Sequence, residues 1–124
     1  MFDEKYVKRL ESTSIFCRDA LDVICKTDAP DTFHYIDPPY FNSDMGHYGG
    51  YTEADFENLL QILCKIKGKF MLSSYPSEVL SDYSERNNWF TVNFEMNRSA
   101  GGGKKTEVLT MNYSLNIAKQ LKLF

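Results

Sequence analysis

No window of the chain approaches the ~20 consecutive apolar residues that a membrane span requires. The opening residues, Met1-Phe2-Asp3-Glu4-Lys5, lack the profile of a secretory signal. Cysteine is scarce, with Cys17, Cys25 and Cys64 as the full set. An odd and widely spaced set builds neither a disulfide scaffold nor a zinc site. Their apolar surroundings predict buried free thiols in a reducing, cytoplasmic compartment. His34 and His47 have no His or Cys partner nearby in sequence, so no metal is expected. An excess of basic residues is also missing. The formal net charge is −3, which excludes a protein that coats nucleic acid by bulk charge. It leaves room for an enzyme that gathers its cations on one face.

What is present is ordinary globular material. Hydrophobic residues make up 43% and charged residues 25% of 124 positions, enough for one domain, residues 1–124, with a modest core. Tyr6, Val7 and Leu10 have helical spacing within Asp3 to Leu10. Ser14 to Cys17 is a short β-prone run. Asp19 is placed to cap a helix over the residues that follow. Phe33 to Ile36 is a compact apolar run that stops at Asp37-Pro38-Pro39, as a strand entering a rigid loop does. Thr52 opens the clearest helix, with Asp55 as a weak capping-box partner. Phe56, Leu59, Leu60, Leu63 and Ile66 form its apolar face, and Gly68 is expected to end it. Lys69 to Ser74 is the next buried strand, and Pro76 to Tyr83 a short helix opened by its proline. Trp89 to Met96 and Thr106 to Tyr113 alternate and flank a glycine-rich patch, which predicts a β-hairpin with a long loop. The alternation of strands and helices predicts an α/β sheet, mostly parallel, with an antiparallel hairpin at one edge.

The chemistry concentrates at Asp37-Pro38-Pro39-Tyr40. Ligands of open α/β sheets bind beyond the carboxyl ends of strands, where this tetrapeptide falls. Two successive prolines have fixed φ and no N–H groups, so their carbonyls are free to face a cleft as acceptors. Asp37 adds a carboxylate and Tyr40 a flat ring with a polar tip. An exocyclic amine on adenine is a poor nucleophile because its lone pair is delocalised. Two acceptors aimed at its N–H bonds favour the tetrahedral nitrogen of the transition state. A stacked aromatic holds a base that has left the duplex. The plain alternative is a Pro-Pro loop that only turns the chain.

The tetrapeptide resembles the catalytic motif of amino-methyltransferases that use S-adenosylmethionine, and the wider pattern resembles the DNA adenine methylase (Dam-like, D12 class) family. Ile15 to Leu21 is similar to the family segment whose aspartate contacts the cofactor's adenine. Lys67 to Ser74 looks like its next core strand, and Glu107 to Tyr113 like its closing strand. The resemblance implies a partial Rossmann-like methyltransferase sheet. It implies that Asp37 and the Pro38 carbonyl bind the target amine, with Pro39 in the same catalytic motif. Tyr40 would stack on a flipped adenine in double-stranded DNA. Asp19, Ala20 and Asp37 would form the cofactor side, although Asp19 serves equally as a plain helix cap. Arg98, Lys104 and Lys105, beside the hairpin loop, are either phosphate contacts or a solvated loop, and the resemblance favours DNA. The segment Phe41 to Tyr51 is either a lid or an ordinary loop.

Two family features have no counterpart here: the N-terminal aromatic-x-Gly-x-Gly loop and the inserted target-recognition domain. Gly101-Gly102-Gly103 follows a late strand and opens no helix, so it is no substitute. The chain is therefore expected to be the C-terminal catalytic part of a split or truncated enzyme. It would pair with an N-terminal partner chain or self-associate through an exposed strand edge. Methylation of cytosine N4 or of a glutamine amide is the second enzymatic reading. A non-catalytic module supporting an active partner is the reading from another class.

Overall fold

The computed structural model describes residues 3–42, 50–97 and 101–115. Four helices and four strands are formed among them: α1 (Glu4–Glu11), α2 (Ala20–Thr27), β1 (Phe33–Ile36), α3 (Glu53–Leu63), β2 (Lys69–Ser74), α4 (Glu78–Asn87), β3 (Phe90–Asn97) and β4 (Lys104–Met111). Each helix starts where a short polar side chain takes up orphan N–H groups. Asp3 accepts from Lys5, Asp19 from Leu21 and Asp22, and Ser77 from Leu80. At α3 the capping box is reciprocal, with Thr52 N donating to Asp55 at 2.8 Å and Asp55 N to Thr52 Oγ1 at 3.2 Å. No helix among the described residues is long and apolar enough to cross a membrane.

The sheet order is β1-β2-β4-β3. β1 pairs parallel with β2, while β4 runs antiparallel to both β2 and β3. Three strands therefore share one direction and β4 opposes them, which is the mostly parallel sheet with a terminal hairpin that the sequence predicts. The period of two puts His34, Ile36, Phe70, Leu72, Ser74, Val108 and Thr110 on one face, and all are buried. Ile24 of α2, Phe56, Leu59, Leu60 and Leu63 of α3, and Leu80 and Tyr83 of α4 complete the core with that face. The opposite face keeps Phe33, Tyr35, Phe90, Phe94 and Met96 exposed.

Several expectations from the sequence are corrected. Ser14 to Cys17 forms no strand, and Ile15 is 88% exposed. β-prone residues become strand only with a ladder partner, and the described residues offer this segment none. The three cysteines are exposed rather than buried. Cys25 sits beside buried Ile24 but points outward from α2, and Cys64 is the C-cap of α3; apolar neighbours in sequence are not neighbours in space. α3 ends at Leu63, before Gly68. α4 starts from Ser77, not Pro76, and runs on to Asn87, where Asn88 takes the left-handed conformation (φ 54°) that stops it.

Gly68 has a different task. A Cβ there would stand 2.4 Å from the Thr32 carbonyl oxygen and 2.9 Å from that of Ala29. Only glycine lets the α3–β2 connection approach the α2–β1 turn this closely. Asp28 fastens the junction, accepting from the backbone N–H groups of Lys67 (2.7 Å) and Gly68 (3.0 Å). It also faces buried His34 Nε2 at 3.2 Å. The backbone bond from Lys67 holds the Asp28 carboxyl below its ordinary value, burial opposes this, and Gly68 and His34 act in the same sense as Lys67.

Gly68→Ala is expected to cost about 1–3 kcal/mol in chemical denaturation, the usual range for forcing an extra carbon into a packed junction. Acid stability gives a second check. Asp28 and Asp55 both titrate below the ordinary 3.8. The folded state therefore binds fewer protons than the unfolded chain in that window. Their contribution is complete above the unfolded value and is lost as pH falls through the lowered folded values. Melting temperature should drop below roughly pH 4, and Asp28→Asn should lower it at neutral pH while flattening that acid limb. A wild-type acid limb that is already flat would refute the assignment.

Candidate active site

Asp37-Pro38-Pro39-Tyr40 follows directly on the carboxyl end of β1, at the opposite end of the strand from the Asp28 junction. A cleft of about 820 Å³ opens beside it, between α2, β1 and the start of α3. Arg18, Asp19, Ala20, Asp37, Pro38, Pro39, Tyr51 and Asp55 line the cleft. The fold thus brings Asp19, Ala20 and Asp37 to one cavity, although they lie far apart along the chain. Asp19 has a structural role as well, since its Oδ1 caps α2 through Leu21 N (2.9 Å) and Asp22 N (3.4 Å). Both bonds use the same oxygen. Burial raises the Tyr51 phenol above its usual value, and the charges of Asp55 and Asp19 push it further the same way. The lining is thus acidic, with Arg18 as its cation, and is backed by apolar Leu21, Ile24 and Ile36.

Tyr40 does not line that cleft. Its hydroxyl turns toward the sheet and donates to Glu107 Oε1. Ser73 Oγ stands 3.1 Å from the same hydroxyl and Asp37 Oδ1 stands 3.3 Å from it. Ser73 donates its own proton to Glu107 Oε1 at 3.0 Å. The strand register explains the meeting. Ser73 pairs with Leu109, so Glu107 is its diagonal neighbour on the same face of the sheet. The Tyr40 ring lies 4.3 Å from the Tyr75 ring, tilted by 54°. Lys105 Nζ donates to the Tyr75 hydroxyl at 3.2 Å and lies 5.3 Å from that ring's centre. Burial drives the Tyr40 phenol well above its ordinary value, the Glu107 bond adds to this, and Ser73 opposes it. The phenol therefore stays protonated across the physiological range.

Lys104 and Lys105 lie inside β4 rather than in the hairpin loop. Lys104 pairs across the hairpin with Glu95 at 3.1 Å, fully at the surface. Arg98 is outside the described residues, as is the 43–49 part of the segment read as a lid or loop. The beginning of that segment is anchored. Phe41 packs on Phe56 at 5.3 Å, and Asn42 Nδ2 donates to the Pro76 carbonyl at 3.1 Å. His34 is committed to Asp28, and His47 is outside the described residues.

Sequence reasoning did not single out Ser73, Tyr75 or Glu107. A signal existed for Glu107, a carboxylate inside an otherwise apolar and β-branched strand. For Ser73 and Tyr75 only the register could supply it.

The family model for the D12 class N6 adenine-specific DNA methyltransferase matches residues 3–98 of the chain. No curated protein matches it.

Proposed function

The chain belongs to the D12 class of N6 adenine-specific DNA methyltransferases, and from that membership we propose that it takes part in methyl transfer to the N6 amine of an adenine flipped out of double-stranded DNA. The observation that carries this is the position of Asp37-Pro38-Pro39-Tyr40, at the carboxyl end of β1 and on the rim of the cleft that contains Asp19 and Ala20. S-adenosylmethionine supplies an electrophilic methyl group on a cationic sulfur. The cleft suits such a molecule in three ways. Its volume is in the range of roughly 300–1,000 Å³ typical of small-molecule sites. Asp19, Asp37 and Asp55 line it with carboxylates, which favour a cation. Ala20, Leu21 and Ile36 offer an apolar wall to a flat ring.

In this reading Asp19 and Ala20 take the adenine end of the cofactor. Asp37 and the Pro38 carbonyl accept the two N–H bonds of the target amine. As the nitrogen forms its new bond to carbon it becomes tetrahedral and positive, and both acceptors strengthen their hold in that state. Asp37 is also the nearest carboxylate for the proton that the nitrogen then releases. Tyr40 lies outside the cleft with its ring against Tyr75, so in this reading the flipped base stacks on it from that side while its amine reaches Asp37. Lys105, whose Nζ donates to the Tyr75 hydroxyl, would contact a phosphate flanking the flipped nucleotide, as would Lys104 and Arg98, the latter outside the described residues. A DNA substrate fits a cytoplasmic enzyme.

We further propose that the chain works with a second chain, either an N-terminal partner bearing a glycine loop or another copy of itself. The supporting observation is β1, a terminal strand of the described sheet with Phe33 53% and Tyr35 64% exposed. Apolar strand edges of this kind invite added strands.

Calorimetry with S-adenosylmethionine, on the chain alone and mixed with a glycine-loop-bearing partner, should show binding in at least one case. Absence of binding and of methyl transfer in both would sink the enzymatic reading. Asp37→Ala should reduce transfer by about 10²–10³-fold, the scale for losing one preorganised electrostatic contact. Transfer that survives this change would overturn the mechanism. On size exclusion the isolated chain should elute larger than its 14.4 kDa monomer, and a stable monomer with two-state unfolding would count against the partner proposal.

A further inference from the structure

Tyr40 has one phenolic proton and three acceptors within reach: Glu107 Oε1, Ser73 Oγ and Asp37 Oδ1. Where that proton points decides whether Asp37 is a free acceptor or an occupied one. Glu107 wins it, being a charged acceptor in close contact, while the Asp37 oxygen lies at 3.3 Å. The Ser73 proton goes to the same Glu107 oxygen. One carboxylate oxygen on β4 thus collects both hydroxyl protons, and among the described residues no other group donates to Asp37.

We propose that Glu107 is a positioning residue with two linked effects: it fixes the Tyr40 ring by its hydroxyl, and it keeps the Tyr40 proton off Asp37. The inference rests on the reading of Asp37 as acceptor for the target amine. Glu107 lies outside the 3–98 span that carries the family match, so its role comes from the geometry. Glu107 is not among the residues that line the cleft. It acts through Tyr40, and its removal redirects the Tyr40 hydroxyl to the nearest remaining carboxylate, Asp37. An acceptor already holding a hydroxyl proton is a weaker partner for an amine that must gain positive charge.

A rescue experiment separates this from a merely structural role. Glu107→Ala should lower kcat about tenfold, equivalent to roughly 1.4 kcal/mol, with KM for S-adenosylmethionine unchanged. Adding Tyr40→Phe to that variant should recover part of the loss, because phenylalanine has no proton to give Asp37. A merely structural Glu107 predicts that the double variant is no better than Glu107→Ala. That result, or a Glu107→Ala enzyme with wild-type kcat, would overturn the proposal. Glu107→Gln keeps an acceptor oxygen but gives up its charge, so its kcat should fall between those of wild type and Glu107→Ala, and adding Tyr40→Phe to it supplies the same rescue test if the alanine variant does not fold. A second readout needs no turnover. The protected Tyr40 hydroxyl proton, assigned by NMR through its loss in Tyr40→Phe, should persist in Glu107→Gln and disappear or move strongly in Glu107→Ala. If the wild-type chain shows no transfer, with or without a partner, the functional reading fails. The hydroxyl resonance still decides Glu107's hold on Tyr40, and no response to Glu107→Ala would overturn that as well.

Discussion

The parallel pairing of β1 with β2 is the constraint on which both ends of the molecule depend. Its register sets His34 beside Phe70 and Ile36 beside Leu72. The pairing ends there, with Asp37 the next residue along one chain segment and Ser73 along the other. At the amino ends the pairing is tight enough to need Gly68, and Asp28 clasps the two incoming loops there. Beyond the carboxyl ends the chain continues into Asp37-Pro38-Pro39-Tyr40 on one side and Tyr75-Pro76 on the other, and the Tyr40 and Tyr75 rings meet. A slip of one residue would turn every core side chain to the opposite face. It would also separate Tyr40 from Ser73 and Glu107. Stability and chemistry thus draw on one ladder from its two ends.

The tetrapeptide divides the site into two compartments. Asp37, Pro38 and Pro39 face the acidic cleft, while Tyr40 turns the other way into the cluster of Ser73, Tyr75, Lys105 and Glu107. Two prolines in succession make this partition stiff, because neither can change φ. Asp37 is the residue common to both sides, lining the cleft and lying within reach of the Tyr40 hydroxyl. Rigid placement of acceptors before substrate arrives is what an amine with a delocalised lone pair requires.

Apolar surface is distributed unevenly. One face of the sheet is sealed by α2, α3 and α4, while the other presents Phe33, Tyr35, Phe90, Phe94 and Met96. α1 adds Tyr6, Val7 and Leu10, all more than half exposed, and buries no residue of its own. Singly exposed apolar residues are normal, and here they gather on the two outer strands of the sheet and along one helix. The Ser14 to Cys17 run pairs with none of the described strands.

Features governed by near neighbours were legible in the sequence. Asp3, Asp19 and Thr52 announce their helices because a cap bonds only two or three residues ahead. Phe33 to Ile36 and Lys69 to Ser74 are compact apolar runs bounded by turn residues, which is a local strand signal. Asp37-Pro38-Pro39-Tyr40 displays its chemistry locally, since proline stiffness and carboxylate charge do not depend on distant partners. Features governed by distant neighbours were not legible. The reason for Gly68 is a carbonyl at Thr32, the outward placement of Cys25 depends on which side of α2 meets the core, and the extent of α4 depends on Asn88 rather than on its proline. Glu107 looked like one polar residue in an apolar strand until the antiparallel register set it diagonal to Ser73 and under the Tyr40 hydroxyl. The sequence determined where acceptor groups gather, at Asp37-Pro38-Pro39-Tyr40, because carboxylate charge and proline stiffness are properties of single side chains and their immediate backbone. Tertiary structure alone decided which acceptor receives the Tyr40 proton, because that is a contest between oxygens brought together from β1, β2 and β4.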